Sequence, residues 1–136
     1  MTTSKLTILG DGELSLVVPV EPMPAPRPRM SKWGAYFPAT YTAHKKAIAA
    51  SLPKRAVPLM GELHVVVELV CKRIGKSKFT TPAGDLDNLV KPTLDVLTQE
   101  GYYGDDRQIT DLRISKRFPV DGEDPHINVH IKQFTS

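Results

Sequence analysis

The run Pro22-Met23-Pro24-Ala25-Pro26-Arg27-Pro28-Arg29 has proline at every second position. Proline lacks a backbone N–H and fixes φ, so such a run cannot pair inside a sheet. It must be an extended connection, and it separates what precedes it from the rest of the fold. Before it, Glu13 to Val20 reads as a strand, with Leu14, Leu16 and Val18 alternating. Residues 1–12 read as a flexible N-terminal extension.

After the prolines, Trp33 to Phe37 reads as a short strand or an ordered loop. Thr42 to Leu52 reads as a helix stopped by Pro53. The valine-rich Leu63 to Cys71 is the strongest strand. A long polar connection over 72–84 follows, of the length that tends to carry function. Asn88 to Gln99 has Leu89, Val90, Leu94 and Leu97 at helical spacing with Leu86 just before it. Pro92 is expected in or near the first turn, where backbone donors lack partners anyway. Gly101 suits a C-cap. Gln108 to Phe118 and His126 to Phe134 read as two strands joined by the turn-prone 121–125. The order strand, helix, strand, helix, strand, strand predicts an α+β fold: one domain over 1–136, with two helices on a mixed sheet.

No apolar run approaches the roughly 18 residues of a membrane span, and no signal peptide is evident, so a cytoplasmic protein is expected. A single cysteine, Cys71, excludes an internal disulfide and a cysteine-rich zinc site. The net charge of +3 points only weakly to an anionic partner. Its distribution says more. Cations gather at Arg27 and Arg29, at Lys45 and Lys46, and at Lys72, Arg73, Lys76 and Lys78, while acids gather between Asp85 and Asp111. A basic rim around an acidic centre suits a nuclease: the rim holds phosphates and the centre holds a metal.

The acidic centre is Gly84-Asp85-Leu86-Asp87-Asn88-Leu89-Val90-Lys91. In extended backbone, residues two apart share a side, so Asp85 and Asp87 are expected to face one way. Two carboxylates held that close repel each other, and a divalent cation offsets the repulsion. Magnesium suits oxygen ligands and keeps several waters, so two or three carboxylates suffice. Lys91, four residues after Asp87, is placed to hold a phosphate, and Asp106 is expected beside the first pair. Ordinary readings stand next to these. Asp87 or Asn88 would serve as an N-cap, Lys91 and Asp95 as a solvated ion pair, and Asp105-Asp106 as a turn.

Together these residues resemble the RusA family of Holliday-junction resolvases. The resemblance is carried by Asp85-Leu86-Asp87-Asn88, Lys91, Asp95-Val96-Leu97, and Asp105-Asp106-Arg107-Gln108-Ile109, with a weaker element at Arg27-Pro28-Arg29-Met30. Pro92 after the lysine departs from the pattern. The resemblance implies Asp85, Asp87 and Asp106 as catalytic, metal-binding acids with Lys91 assisting. It also implies magnesium or manganese as cofactor, a homodimer, and four-way DNA junctions as substrate, in a bacterial or phage setting.

Arg27, Arg29, Lys72, Arg73, Lys76 and Lys78 are expected to contact backbone phosphates, which position DNA without reading its sequence. Trp33, Tyr36 and Phe37 are expected to pack in the core or a loop rather than stack on bases. His44, His64, His126 and His130 read as ordinary residues rather than zinc ligands. Two other readings remain: a non-catalytic nucleic-acid-binding module with a structural metal site, and a nuclease for flaps or other branched DNA.

Overall fold

A computed structural model describes residues 5–10, 12–54, 57–73, 75 and 79–134. Lys76 and Lys78 lie outside the described residues. The elements in chain order are β1 (Lys5–Gly10), β2 (Glu13–Val18), β3 (Arg29–Ser31), β4 (Gly34–Tyr36), α1 (Ala39–Ser51), β5 (Glu62–Val70), α2 (Leu86–Gln99), β6 (Ile109–Arg117) and β7 (His126–Phe134). A short 3₁₀ turn, Asp106–Gln108, leads into β6.

The fold is α+β, with a mixed sheet and two helices. Five strands form the sheet in the order β1-β2-β7-β5-β6. Only β5 and β6 are parallel, because α2 crosses back between them, the connection that parallel strands require. Lys5–Gly10 falls within the stretch read as a flexible extension, yet it pairs with β2 as an edge strand. The proline run crosses no sheet. It ends in a separate two-stranded hairpin, β3–β4, that the sequence pattern only half revealed.

Alternation decides which side of the sheet is buried. Leu63, Val65, Val67 and Leu69 of β5 share one face with Leu14, Leu16 and Val18 of β2 and Ile127, Val129 and Ile131 of β7. Each is essentially inaccessible, a burial that contributes about 1.5–3 kcal/mol per side chain. α2 lays Leu89, Val90, Thr93, Val96 and Leu97 against this face. Leu86, expected on that side, is more than a third exposed, and Val96 packs where the apolar stripe continues.

α2 ends in a Schellman motif. Gly101 sits at φ +78, and the Tyr102 N–H donates to the Leu97 carbonyl at 3.0 Å. The helix begins at Leu86, earlier than the spacing suggested, so Pro92 lies in its interior rather than its first turn. A proline there leaves the carbonyl four residues back without its helical donor. That carbonyl belongs to Asn88, and it accepts the N–H of Ala25 at 2.8 Å. The proline run is therefore fastened to the first turns of α2 by the hydrogen bond that Pro92 cannot make.

Candidate active site

Asp85 is the N-cap of α2 by backbone conformation, but its side chain makes no capping hydrogen bond. The capping role therefore does not account for this carboxylate, which is exposed. Asp87 lies in the first turn, where the positive end of the helix favours an acid. The helix already includes Leu86, so the extended-backbone argument that put both carboxylates on one side does not hold here. Gly84 precedes them at φ +94, a conformation suited to glycine, and a Cβ there would meet the Leu89 side chain at 3.3 Å. Its carbonyl accepts from Lys116 Nζ at 2.6 Å, which ties this end of α2 to the end of β6.

Lys91 pairs with Asp95 at 3.5 Å, as the i,i+4 spacing allows, and Lys45 of α1 approaches the same carboxylate at 3.9 Å. The Lys91 side chain is still more than half exposed, so this pair contributes only a few tenths of a kcal/mol, about 0.2–0.5 for such i,i+4 contacts.

Asp106 is elsewhere. It opens the 3₁₀ turn that follows α2 and precedes β6. A capping box holds this turn. Asp105 accepts from the Arg107 N–H at 2.8 Å, and Gln108 Oε1 accepts from the Gly104 and Asp105 N–H groups. Gln108 Nε2 donates to the Leu59 and Gly61 carbonyls, anchoring the turn to the start of β5. The Arg107 N–H holds the Asp105 carboxyl below its usual value, with the Asp106 side chain adding to the effect. The sequence reading gave Gln108 no role; its signal was its place three residues after Asp105, the capping-box spacing.

The crossover topology fixes the separation. α2 has 14 residues, about 21 Å at about 1.5 Å each. Asp85 and Asp87 stand at its start and Asp106 beyond its end. The structure therefore does not bring the expected three acids together in one chain. Among the described residues, no group of three or more His, Cys, Asp or Glu is arranged to hold a metal ion. The described residues of a single protomer therefore do not fit a three-carboxylate metal centre.

The expected cationic rim is exposed where described: Arg27, Arg29, Lys72 and Arg73. Arg73 lies over the Phe118 ring at 4.7 Å. Three histidines have ordinary partners, His64 with Glu62, His130 with Glu13, and His126 with Asn128 and the Asp124 carbonyl. His44 is buried with Nε2 unpartnered, and burial pulls its pKa down. Trp33 and Tyr36, expected to pack, are exposed instead, while Phe37, also exposed, has its ring 5.2 Å from that of the buried Tyr41. No helix among the described residues is long and apolar enough to cross a membrane.

The fold is α+β, with exposed acids before and after one crossover helix and exposed arginines and lysines on the same chain. The model of the endodeoxyribonuclease RusA family matches residues 19–132, most of the chain, and the chain belongs to that family. Membership implies endonuclease activity of the Holliday-junction-resolving kind, on branched DNA, in a family whose nucleases generally depend on divalent metals. No curated protein matches the chain. A solved structure, the periplasmic domain of Helicobacter pylori MotB, is similar at 14% identity and a TM-score of 0.38, over 97% of this chain and 80% of that one.

Proposed function

We propose that the chain is a magnesium-dependent endodeoxyribonuclease that resolves Holliday junctions by paired, symmetric nicks, acting in recombination and repair. Manganese is the expected substitute ion. The observation that carries the proposal is the family match over residues 19–132, joined to the outward acids of α2.

The working unit is a homodimer, because one chain separates Asp85 and Asp87 from Asp106. β6 is an edge strand nine residues long, and one side of its backbone is unpaired in the sheet. Such edges are ready templates for another strand. Antiparallel pairing of two β6 strands about a two-fold axis at Leu112 sets Asp111 opposite the partner's Arg113, and Gln108 opposite the partner's Lys116. Opposite charges in facing positions favour that register. Lys116 holds the Gly84 carbonyl, so this register carries Asp106 toward the end of the partner's α2 where Asp85 and Asp87 stand. Two such composite sites follow from the symmetry, one for each strand to be cut.

A divalent ion held by these acids would supply Lewis acidity at the scissile phosphate and lower the pKa of an attacking water. The chain's residues do the rest. Asp85, Asp87 and the partner's Asp106 provide the carboxylate oxygens. Lys91 offsets charge on the phosphate. Arg27, Arg29, Lys72, Arg73, Lys76 and Lys78 hold flanking phosphates, which makes binding salt-dependent.

Cleavage of a synthetic four-way junction and a matched linear duplex, with magnesium and with chelator, tests the proposal for wild type and Asp87→Asn. Magnesium-dependent, junction-selective paired cuts that vanish in the variant are expected. The three acids standing apart in one protomer favour a second reading, a binding module without catalysis. Junction binding with no cutting under any condition would establish that one, and cutting of flaps in preference to junctions would redirect the substrate assignment.

A further inference from the structure

The β3–β4 hairpin is held by three register pairs, Arg29 with Tyr36, Met30 with Ala35 and Ser31 with Gly34. Ser31 Oγ closes its turn, donating to the Gly34 carbonyl and accepting from the Trp33 N–H. Every residue of both strands is exposed. At the tip Trp33 is 87% exposed, with Met30 at 76% beside it. Lys32 Nζ lies 5.1 Å from the Trp33 ring centroid, covering one face of the indole. Exposing a tryptophan and a methionine on one short hairpin costs hydration free energy, which makes this surface a candidate for contact with a partner.

Charge selects the partner. Between Glu21 and Glu62 the chain has no acidic residue, and it puts Arg27, Arg29 and Lys32 on or beside the hairpin and Lys45 and Lys46 on the helix that follows. Two copies of so cationic a tip repel each other, whereas a polyanion with exposed ring faces satisfies both features at once. The Ala25 to Asn88 hydrogen bond fixes the base of the segment against the α2 turn that carries Asp87.

We propose that this hairpin is an aromatic wedge for unpaired bases: Trp33 stacks on a base opened at the branch point, while Arg29 and Lys32 hold the adjacent phosphates. The inference rests on the reading of the chain as a junction endonuclease and adds how the branch is engaged. Aromatic stacking is tolerant of sequence because every base has a π-face, so the wedge distinguishes opened from fully paired DNA rather than one sequence from another.

Trp33 is the chain's sole tryptophan, so its emission reports the contact directly. Asp87→Asn protein, which leaves DNA uncut, is titrated with a four-way junction, a single-stranded oligonucleotide and a matched duplex, with binding followed in parallel by anisotropy. Emission is expected to fall by at least half with the junction and the single strand, and little with the duplex. Trp33→Ala in the same background loses roughly tenfold in junction affinity, the weight of one base stack, and stays within about twofold on duplex. Trp33→Phe, which keeps a ring, retains most of the affinity. Full binding with unchanged emission, or an Ala variant that binds the junction as its parent does, overturns the wedge while leaving the nuclease reading intact. Quenching by single strand in a protein whose wild type cuts no DNA sustains the wedge and sinks the nuclease reading. Quenching that tracks protein concentration without DNA assigns the hairpin to self-association and overturns the proposal.

Discussion

Asp87→Asn and Asp106→Asn, each inactive as a homodimer, are expected to regain cleavage when their subunits are exchanged. In the proposed composite site, Asp85 and Asp87 of one protomer join Asp106 of the other. In a mixed dimer, one site then carries both substitutions and the other carries neither. At equal concentrations with free exchange about half the dimers are mixed, and each has one intact site of two, so about a quarter of wild-type nicking returns. Both changes preserve side-chain shape at exposed positions, so the subunits should fold and pair normally. The assay follows end-labelled junction strands on a denaturing gel, with exchange verified by differently tagged subunits. Because each mixed dimer cuts one strand only, single nicks recover while coordinated double cuts stay near zero. Verified exchange without recovered nicking would refute the shared site, since a site within one chain gives no intact combination.

Gly84→Ala puts a side chain at φ +94 against Leu89. A left-handed residue of this kind costs about 1–2 kcal/mol, and a lowered melting temperature with a larger loss of cleavage than of stability is expected; an unchanged melt would show that the turn relaxes freely. Arg117 holds Glu123 down to about 2 and also lowers Glu68. A carboxyl depressed in the folded state stabilises above its unfolded value and loses that contribution as pH falls through the folded one. Melting temperature should therefore decline between about pH 4.5 and pH 2, less steeply in Glu123→Gln, and parallel curves would discount the pair. His44 is held below its usual value by burial, so its neutral form stabilises fully above the unfolded pKa of about 6.5 and loses ground as pH drops below it. His44→Phe should flatten melting curves between pH 7 and pH 5, and an unaltered slope would assign that dependence to another group.

The sheet was legible because its strands carry local patterns. Leu63 to Cys71 and His126 to Phe134 alternate or run apolar within a window that needs no distant partner to interpret. The family motif was legible for the same reason, since residues 85–91 and 105–109 are each contiguous. Three features needed the chain's return on itself. The start of α2 at Leu86 displaced the alternation argument for Asp85 and Asp87, because two residues apart means opposite directions in a helix more nearly than the same one. The distance from Asp87 to Asp106 depended on whether the last connection doubled back or crossed over, and the parallel pairing of β5 with β6 decided that. Trp33, Tyr36 and Phe37 were read as packing because an aromatic in a sequence carries no sign of its exposure.

Pro92 joins these features. In an uninterrupted helix the Asn88 carbonyl would bond to residue 92 and face along the axis with its neighbours. Proline removes that donor and crowds the same carbonyl, a loss of about 3 kcal/mol or more when nothing compensates. Here the Ala25 N–H compensates, and it is free to do so because the flanking prolines 24 and 26 keep that segment extended and out of any sheet ladder. Two kinds of residue, each a defect by its own local rule, thus meet in one hydrogen bond. Its position gives the bond its use. It lies one residue beyond Asp87 on the helix and two before Arg27 on the connection, so the cationic arm and the acids share one reference point. In the proposed complex, the Arg27 and Arg29 side chains that hold phosphates thus spring from a backbone fastened to the helix turn that bears Asp87.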